Sequence, residues 1–95
     1  MTIITANIRP THIDTGVKGS CGKCPASLAI DEALPGLTWI GVGIFEIVIR
    51  QGEKVTTLRT PLSVHNFILE FDNGRPVQPL SFDLSVPDWA VGAAN

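Results

Sequence analysis

The residues with the greatest chemical capacity in this 95-residue chain crowd into one short stretch. Lys18-Gly-Ser-Cys-Gly-Lys-Cys24 sets two lysines, two glycines and both cysteines of the protein just ahead of Pro25. Proline suits the first helical position, because its missing N–H would have been unpaired there anyway. A helix starting at Pro25 aims its free N–H groups back at the loop, and glycines let backbone amides approach an oxyanion. Lysine charge would neutralise it. The candidate ligand-binding set is therefore Lys18, Gly19, Ser20, Cys21, Gly22, Lys23 and Cys24. The string from Gly16 to Cys24 approaches the phosphate loop G-x-x-x-x-G-K-[ST]. It has one residue too many between the glycines, and Cys24 replaces the hydroxyl that would hold magnesium. Recognition of a phosphate or carboxylate fits this loop; nucleotide hydrolysis does not.

The same residues fit two other chemistries. Cys21 and Cys24 form a C-x-x-C at a helix start, where the dipole and Lys23 favour a thiolate. Pro25, however, places the helix start past both sulfurs, unlike a dithiol site with its first cysteine at the cap. C-x-x-C is also half of a zinc site, and the only histidines are His12 and His65. Those four make a Cys2His2 set whose spacing matches no standard finger. The principal expectation is no metal and no cofactor, with zinc on His12, Cys21, Cys24 and His65 as the alternative. No Ser-His-Asp spacing stands out, and Asp31-Glu32 falls on a solvated helix face. No catalytic residue is expected.

These groups must be positioned by a modest number of elements. Residues 2–9 alternate, with Ile4, Ala6 and Ile8 on one side, which predicts a half-buried strand that Pro10 ends. Thr11 can cap one helical turn through His12, Ile13 and Asp14, stopped by Gly16. The helix from Pro25 runs about ten residues to Pro35-Gly36. Leu37 to Arg50 is strand-like throughout, with Gly41 and Gly43 marking a bulge or bend and Phe45, Ile47 and Ile49 sharing a face. Gln51-Gly52 predicts a hairpin turn, and Lys54 to Arg59 the return strand. Thr60 caps a second helix with Pro61 in its first position and Val64, Phe67, Ile68 and Phe71 on one stripe. Asn73-Gly74 ends it. Leu80, Phe82, Leu84 and Val86 predict a last one-sided strand, and 87–95 a loose tail that Trp89 could anchor.

The expected fold is one α+β domain over 1–95. It is a small antiparallel sheet with two helices on one face, in the β-α-β-β-α-β order of ferredoxin-like folds. Apolar residues at 44% against 17% charged exclude a disordered chain and leave apolar surface to hide. A net charge of −2 gives no field for nucleic acid or an anionic membrane. The first strand carries no aromatic of the kind RNA-binding sheets use. No apolar run reaches membrane-spanning length, and the start MTIITANIRP lacks the pattern of a signal peptide. The chemistry thus points to a cytoplasmic protein with reduced cysteines. The stretch Trp39–Ile49, apolar on both faces, predicts a homo-oligomer formed through the sheet.

Two segments, HIDTGVKGSCGKCPASLAI (12–30) and FDNGRPVQPLSFDL (71–84), carry a resemblance. The chain resembles small proteins encoded by phages and prophages of actinobacteria. Their pattern has a His-Ile-x-x-Gly turn, a Cys-Pro-x-x-x-Ala helix start and a Phe-Asp-x-Gly-x-Pro-Val-x-Pro run. His12, Cys24-Pro25 and Phe71 to Pro79 match it. The resemblance implies a phage origin and, by analogy with small phage proteins, a non-enzymatic binding role in the host cytoplasm. Such a protein would sequester a small anionic, nucleotide-like ligand or inhibit a host defence protein. The alternative is a small thiol or zinc protein built on Cys21 and Cys24.

Overall fold

The first and last strands of the chain pair with each other. In the computed structural model, which describes residues 1–92, β1 (Thr2–Ile8) and β5 (Leu80–Val86) run antiparallel, with Thr2 opposite Val86 and Ile8 opposite Leu80. Period-two alternation sorts the two faces. Ala6, Ile8, Phe82, Leu84 and Val86 are buried. On the wet face Thr5 donates to Asp83 at 2.6 Å and Ser81 to Asn7 at 2.6 Å, both pairs directly opposed in the register.

Between these strands lie α1 (Pro10–Thr15), α2 (Pro25–Ala33), β2 (Trp39–Val42), β3 (Glu46–Gln51), β4 (Lys54–Arg59) and α3 (Leu62–Asp72). A short α4 (Asp88–Gly92) follows β5. The strands β2, β3 and β4 form a separate antiparallel meander. Ile40, Val42, Ile47 and Ile49 line its inner face and are buried. The helix α2 packs on both β1 and β2 and so joins the two sheets. It buries Ala26, Ala29 and Ile30, while α3 buries Val64, Phe67, Ile68 and Phe71, the stripe expected of it.

The α+β class is as expected, but the β-α-β-β-α-β order is not. There are two sheets, five strands and four helices among the described residues. The stretch expected as one long strand is two strands. Gly43 is a turn residue rather than a bulge, with its N–H donating to the Glu46 carbonyl at 2.8 Å. A side chain at Gly43 would press on that same carbonyl at 3.3 Å, so the tight reversal favours its small residue. Phe45 consequently sits in the turn at 70% exposure and not beside Ile47 and Ile49 in the core. The expected oligomer face around Trp39–Ile49 divides in the same way: Ile47 and Ile49 point inward, while Trp39 and Val48 lie on the outer face. Asp88–Gly92, expected as part of a loose tail, is a helical turn whose Ala90 is buried and whose Trp89 packs against the core. The remainder of that tail, 93–95, lies outside the described residues.

Two caps also differ. Pro10 both ends β1 and opens α1, so Arg9 takes the cap in place of Thr11. Thr60 does not cap α3, because its hydroxyl donates to the Gly43 carbonyl at 2.7 Å and its N–H to Phe45 at 2.9 Å. The chain enters α3 from Pro61 instead.

Candidate functional site

The loop from Gly16 to Cys24 is tied down at several points. Val17 N–H donates to the Lys23 carbonyl at 2.8 Å, and Lys23 N–H to the Ser20 hydroxyl at 3.2 Å. The Cys21 carbonyl accepts Val42 N–H at 2.8 Å along the free edge of β2. The Gly19 N–H, a natural donor for an oxyanion, already meets the Asp72 carboxylate at 3.0 Å. Gly19 has φ +70, so the backbone that offers this N–H requires glycine. A protein carboxylate therefore occupies part of the expected anion cradle. Lys18 and Lys23 are exposed and, among the described residues, join no ion pair. Ser20, Gly22 and Lys23 also form one wall of an open cleft of about 420 Å3 that continues to Asp31 and Trp39.

Cys24 takes the cap position of α2 as expected, but its thiol makes no capping bond and is buried. Cys21 is exposed, and both thiols are free. The four residues of the zinc alternative are not brought together. His12 uses both ring nitrogens elsewhere: Nδ1 accepts Arg9 N–H at 3.0 Å, and Nε2 lies 2.6 Å from Glu32 Oε2. An N–H donated to Nδ1 fixes the proton on Nε2, which donates to the carboxylate. The Arg9 guanidinium joins the other Glu32 oxygen. His12 first, then Arg9, hold the Glu32 carboxyl below its ordinary range. This is a clamp of α1 and β1's end onto α2, buried on the histidine side and wet on the carboxylate side. His65 is committed to the Ile44 carbonyl through Nδ1 at 2.7 Å. Among the described residues no group of three or more His, Cys, Asp or Glu side chains is placed to hold a metal ion.

A larger open cleft lies elsewhere, where the β2–β3 turn, the end of β4 and the first turn of α3 meet. It encloses about 670 Å3 and is lined by Phe45, Glu46, Thr57, Arg59, Leu62 and His65, with Ile44, Leu58 and Thr60 behind them. The volume falls within the usual range of small-molecule sites. The Ile44 carbonyl can only accept, so His65 Nδ1 carries a proton and the neutral ring offers Nε2 as an acceptor. The Phe45 ring stands 5.5 Å from the imidazole, tilted by 39°, and is 70% exposed. Leu62 is 73% exposed. Glu46 and Arg59 are directly opposed in the β3–β4 register, yet among the described residues Arg59 joins no ion pair. The cleft thus offers one cation, one aromatic face, one ring acceptor and one carboxylate.

Of these residues only His65 appeared in the expected site set, as a metal ligand. The signal for the others was the hairpin itself. The turn falls at Gly52-Glu53 rather than at the expected Gln51-Gly52, and only that register sets Glu46 opposite Arg59 and Phe45 level with Thr60. The chain was compared with protein-family models, curated proteins and solved structures, and none of the three gave a match.

Proposed function

We propose that this chain is a phage-encoded, non-enzymatic binding protein of the host cytoplasm that sequesters a small anionic, nucleotide-like ligand in the β4–α3 cleft. The observation that carries this reading is the conjunction of an Arg59 guanidinium that joins no ion pair among the described residues and an exposed Phe45 ring in one cleft. A nucleotide-like molecule meets each group with its own chemistry. Its anion suits Arg59, its planar base the Phe45 face, and its hydroxyl or amine donors the His65 Nε2 and Glu46 acceptors. The Thr60 hydroxyl in the lining is already committed to the Gly43 carbonyl, which favours binding over turnover.

The test is calorimetric titration with adenosine and guanosine mono- and diphosphates. Arg59→Ala removes a charge-assisted contact worth about 1.5–3 kcal/mol, so affinity falls at least about tenfold. Absence of binding at millimolar nucleotide, or unchanged affinity in Arg59→Ala, refutes the reading. A second reading keeps the anion at the loop, because Lys18 and Lys23 are both free of ion partners among the described residues. It is favoured if Lys18→Ala with Lys23→Ala weakens binding while Arg59→Ala does not.

A further inference from the structure

The edge of β2 that faces away from β3 is only half used. Gly43 N–H bonds the Glu46 carbonyl at 2.8 Å across the turn that joins the two strands. Bonded and unbonded pairs alternate in an antiparallel ladder. Gly41 and Trp39 therefore bond to Val48 and Arg50, while Val42 and Ile40 aim their N–H and C=O groups away from β3. Two contacts agree with this count. Val42 N–H donates to the Cys21 carbonyl at 2.8 Å, and the Ile40 carbonyl oxygen lies 3.8 Å from where a Cβ on Gly22 would stand. Cys21 thus closes the edge at Val42. Two residues earlier, the backbone of Ile40 lies open to the cleft of about 420 Å3 between β2, α2 and the loop. The Ile40 side chain is buried in the core, so its backbone is what it gives to the cleft wall.

The rest of that wall carries one charge of each sign. Lys23 comes from the loop and Asp31 from α2; both are exposed, and among the described residues neither joins an ion pair. The Ser20 hydroxyl accepts Lys23 N–H at 3.2 Å, which leaves its own proton to donate. Leu28 and Leu37 add apolar surface. The volume suits a small molecule.

We infer that this cleft binds a free α-amino acid with an apolar side chain. The carboxylate of the ligand meets Lys23, the Ser20 hydroxyl and Ile40 N–H. Its ammonium meets Asp31 and the Ile40 carbonyl, and its side chain lies on Leu28 and Leu37. A zwitterion answers both charges at once, whereas a simple anion would face Asp31 and a simple cation would face Lys23. A strand edge open at one residue takes one ligand residue; the bond between Cys21 and Val42 excludes the longer ladder that an extended peptide would need. The site shares no residue with the nucleotide cleft, so neither reading rests on the other.

The experiment is calorimetric titration of the full chain with leucine, valine, methionine and phenylalanine, and with the N-acetyl and amide forms of the tightest of them. Each blocked form lacks one charge and is expected to bind about tenfold or more weakly. Lys23→Ala and Asp31→Ala change exposed side chains and should leave the circular dichroism unaltered, yet each should weaken binding about tenfold or more. If Asp31→Ala disturbs the fold, Asp31→Asn removes the charge and keeps the shape. The inference is overturned if none of the four amino acids binds at about 10 mM, a concentration that reveals even millimolar affinity. It is also overturned if a blocked form binds as well as the free one, or if a folded variant at Lys23 or Asp31 keeps the native affinity. Nucleotide binding is read in its own titration, so failure of one site is distinct from failure of the other.

Discussion

Replacing His12 by Ala tests whether the Arg9–His12–Glu32 clamp holds α1 to α2. The imidazole is buried, and its Nδ1 is the acceptor for Arg9 N–H at 3.0 Å. Truncation leaves that part-buried donor without a partner, a loss of about 1–3 kcal/mol, and opens a small void where the ring stood. The bond to Glu32 adds no figure of its own, since water can reach the exposed carboxylate. A loss of about 2–3 kcal/mol is expected from a domain whose total stability is of order 5–15 kcal/mol. At 4–8 °C per kcal/mol this lowers the thermal midpoint by about 10–20 °C. His12→Asn, whose Oδ1 stands near the place of Nδ1, should recover part of it.

The same clamp sets an acid dependence with a definite sign. The Glu32 carboxyl is lowered from 4.5 in the fold, chiefly by His12 and then by Arg9. Its contribution is therefore fully present above about pH 4.5 and is lost as pH falls through the lower folded value. Urea unfolding followed by circular dichroism, at neutral pH and again below pH 4, measures both effects. The His12→Ala protein should be less stable at neutral pH and should lose less on acidification than the native chain. A neutral-pH loss under about 0.5 kcal/mol, in the range of an ordinary surface change, would refute the clamp.

Two further outcomes follow from contacts elsewhere. A Cβ at Gly41 would stand 2.2 Å from the Trp39 ring, so the six-membered ring of the indole covers that glycine. Gly41→Ala should lift it, costing about 1–2 kcal/mol of lost burial and shifting tryptophan fluorescence to the red; an unchanged spectrum would contradict the packing. Asp72→Ala removes the partner of Gly19 N–H and should speed amide exchange at Gly19 with little loss of global stability. If the loop is the anion site, the same change should also strengthen inorganic phosphate binding by removing a competing carboxylate.

What the sequence made legible was local. Alternation in Ile4-Ala6-Ile8 and Phe82-Leu84-Val86, and the stripe Val64-Phe67-Ile68-Phe71, each declare one inward face, and all of these residues are buried except Ile4, which is half-buried against the core. Pro25 declares the start of α2, and the helix begins there. Such signals depend on neighbours within two or four positions. The division of Leu37–Arg50 was hidden because Ile44 and Phe45 continue the apolar run through the turn. The reversal is carried by Gly43 with its bond to Glu46, and by Thr60, which reaches the turn from the end of β4. Pairing of β1 with β5 spans nearly the whole chain, and no local pattern encodes a partner that distant.

The two candidate sites differ in the same respect. The Lys18–Cys24 loop is conspicuous because its chemistry is contiguous, yet its geometry is settled by Asp72, fifty-three residues from Gly19. That carboxylate takes the N–H that a bound anion would need, and any ligand there must displace it. The β4–α3 cleft is inconspicuous because its groups arrive from three elements. Phe45 enters from the turn, Arg59 from the end of a strand and His65 from a helix. Each alone is an ordinary surface or half-buried residue. They become a site because the Thr60 hydroxyl and N–H bind the end of β4 to the Gly43–Phe45 turn. The Ile44 carbonyl then orients the imidazole. Thr60 is thus diverted from capping α3 to anchoring the cleft, and the turn that breaks the long strand is also what presents the aromatic ring.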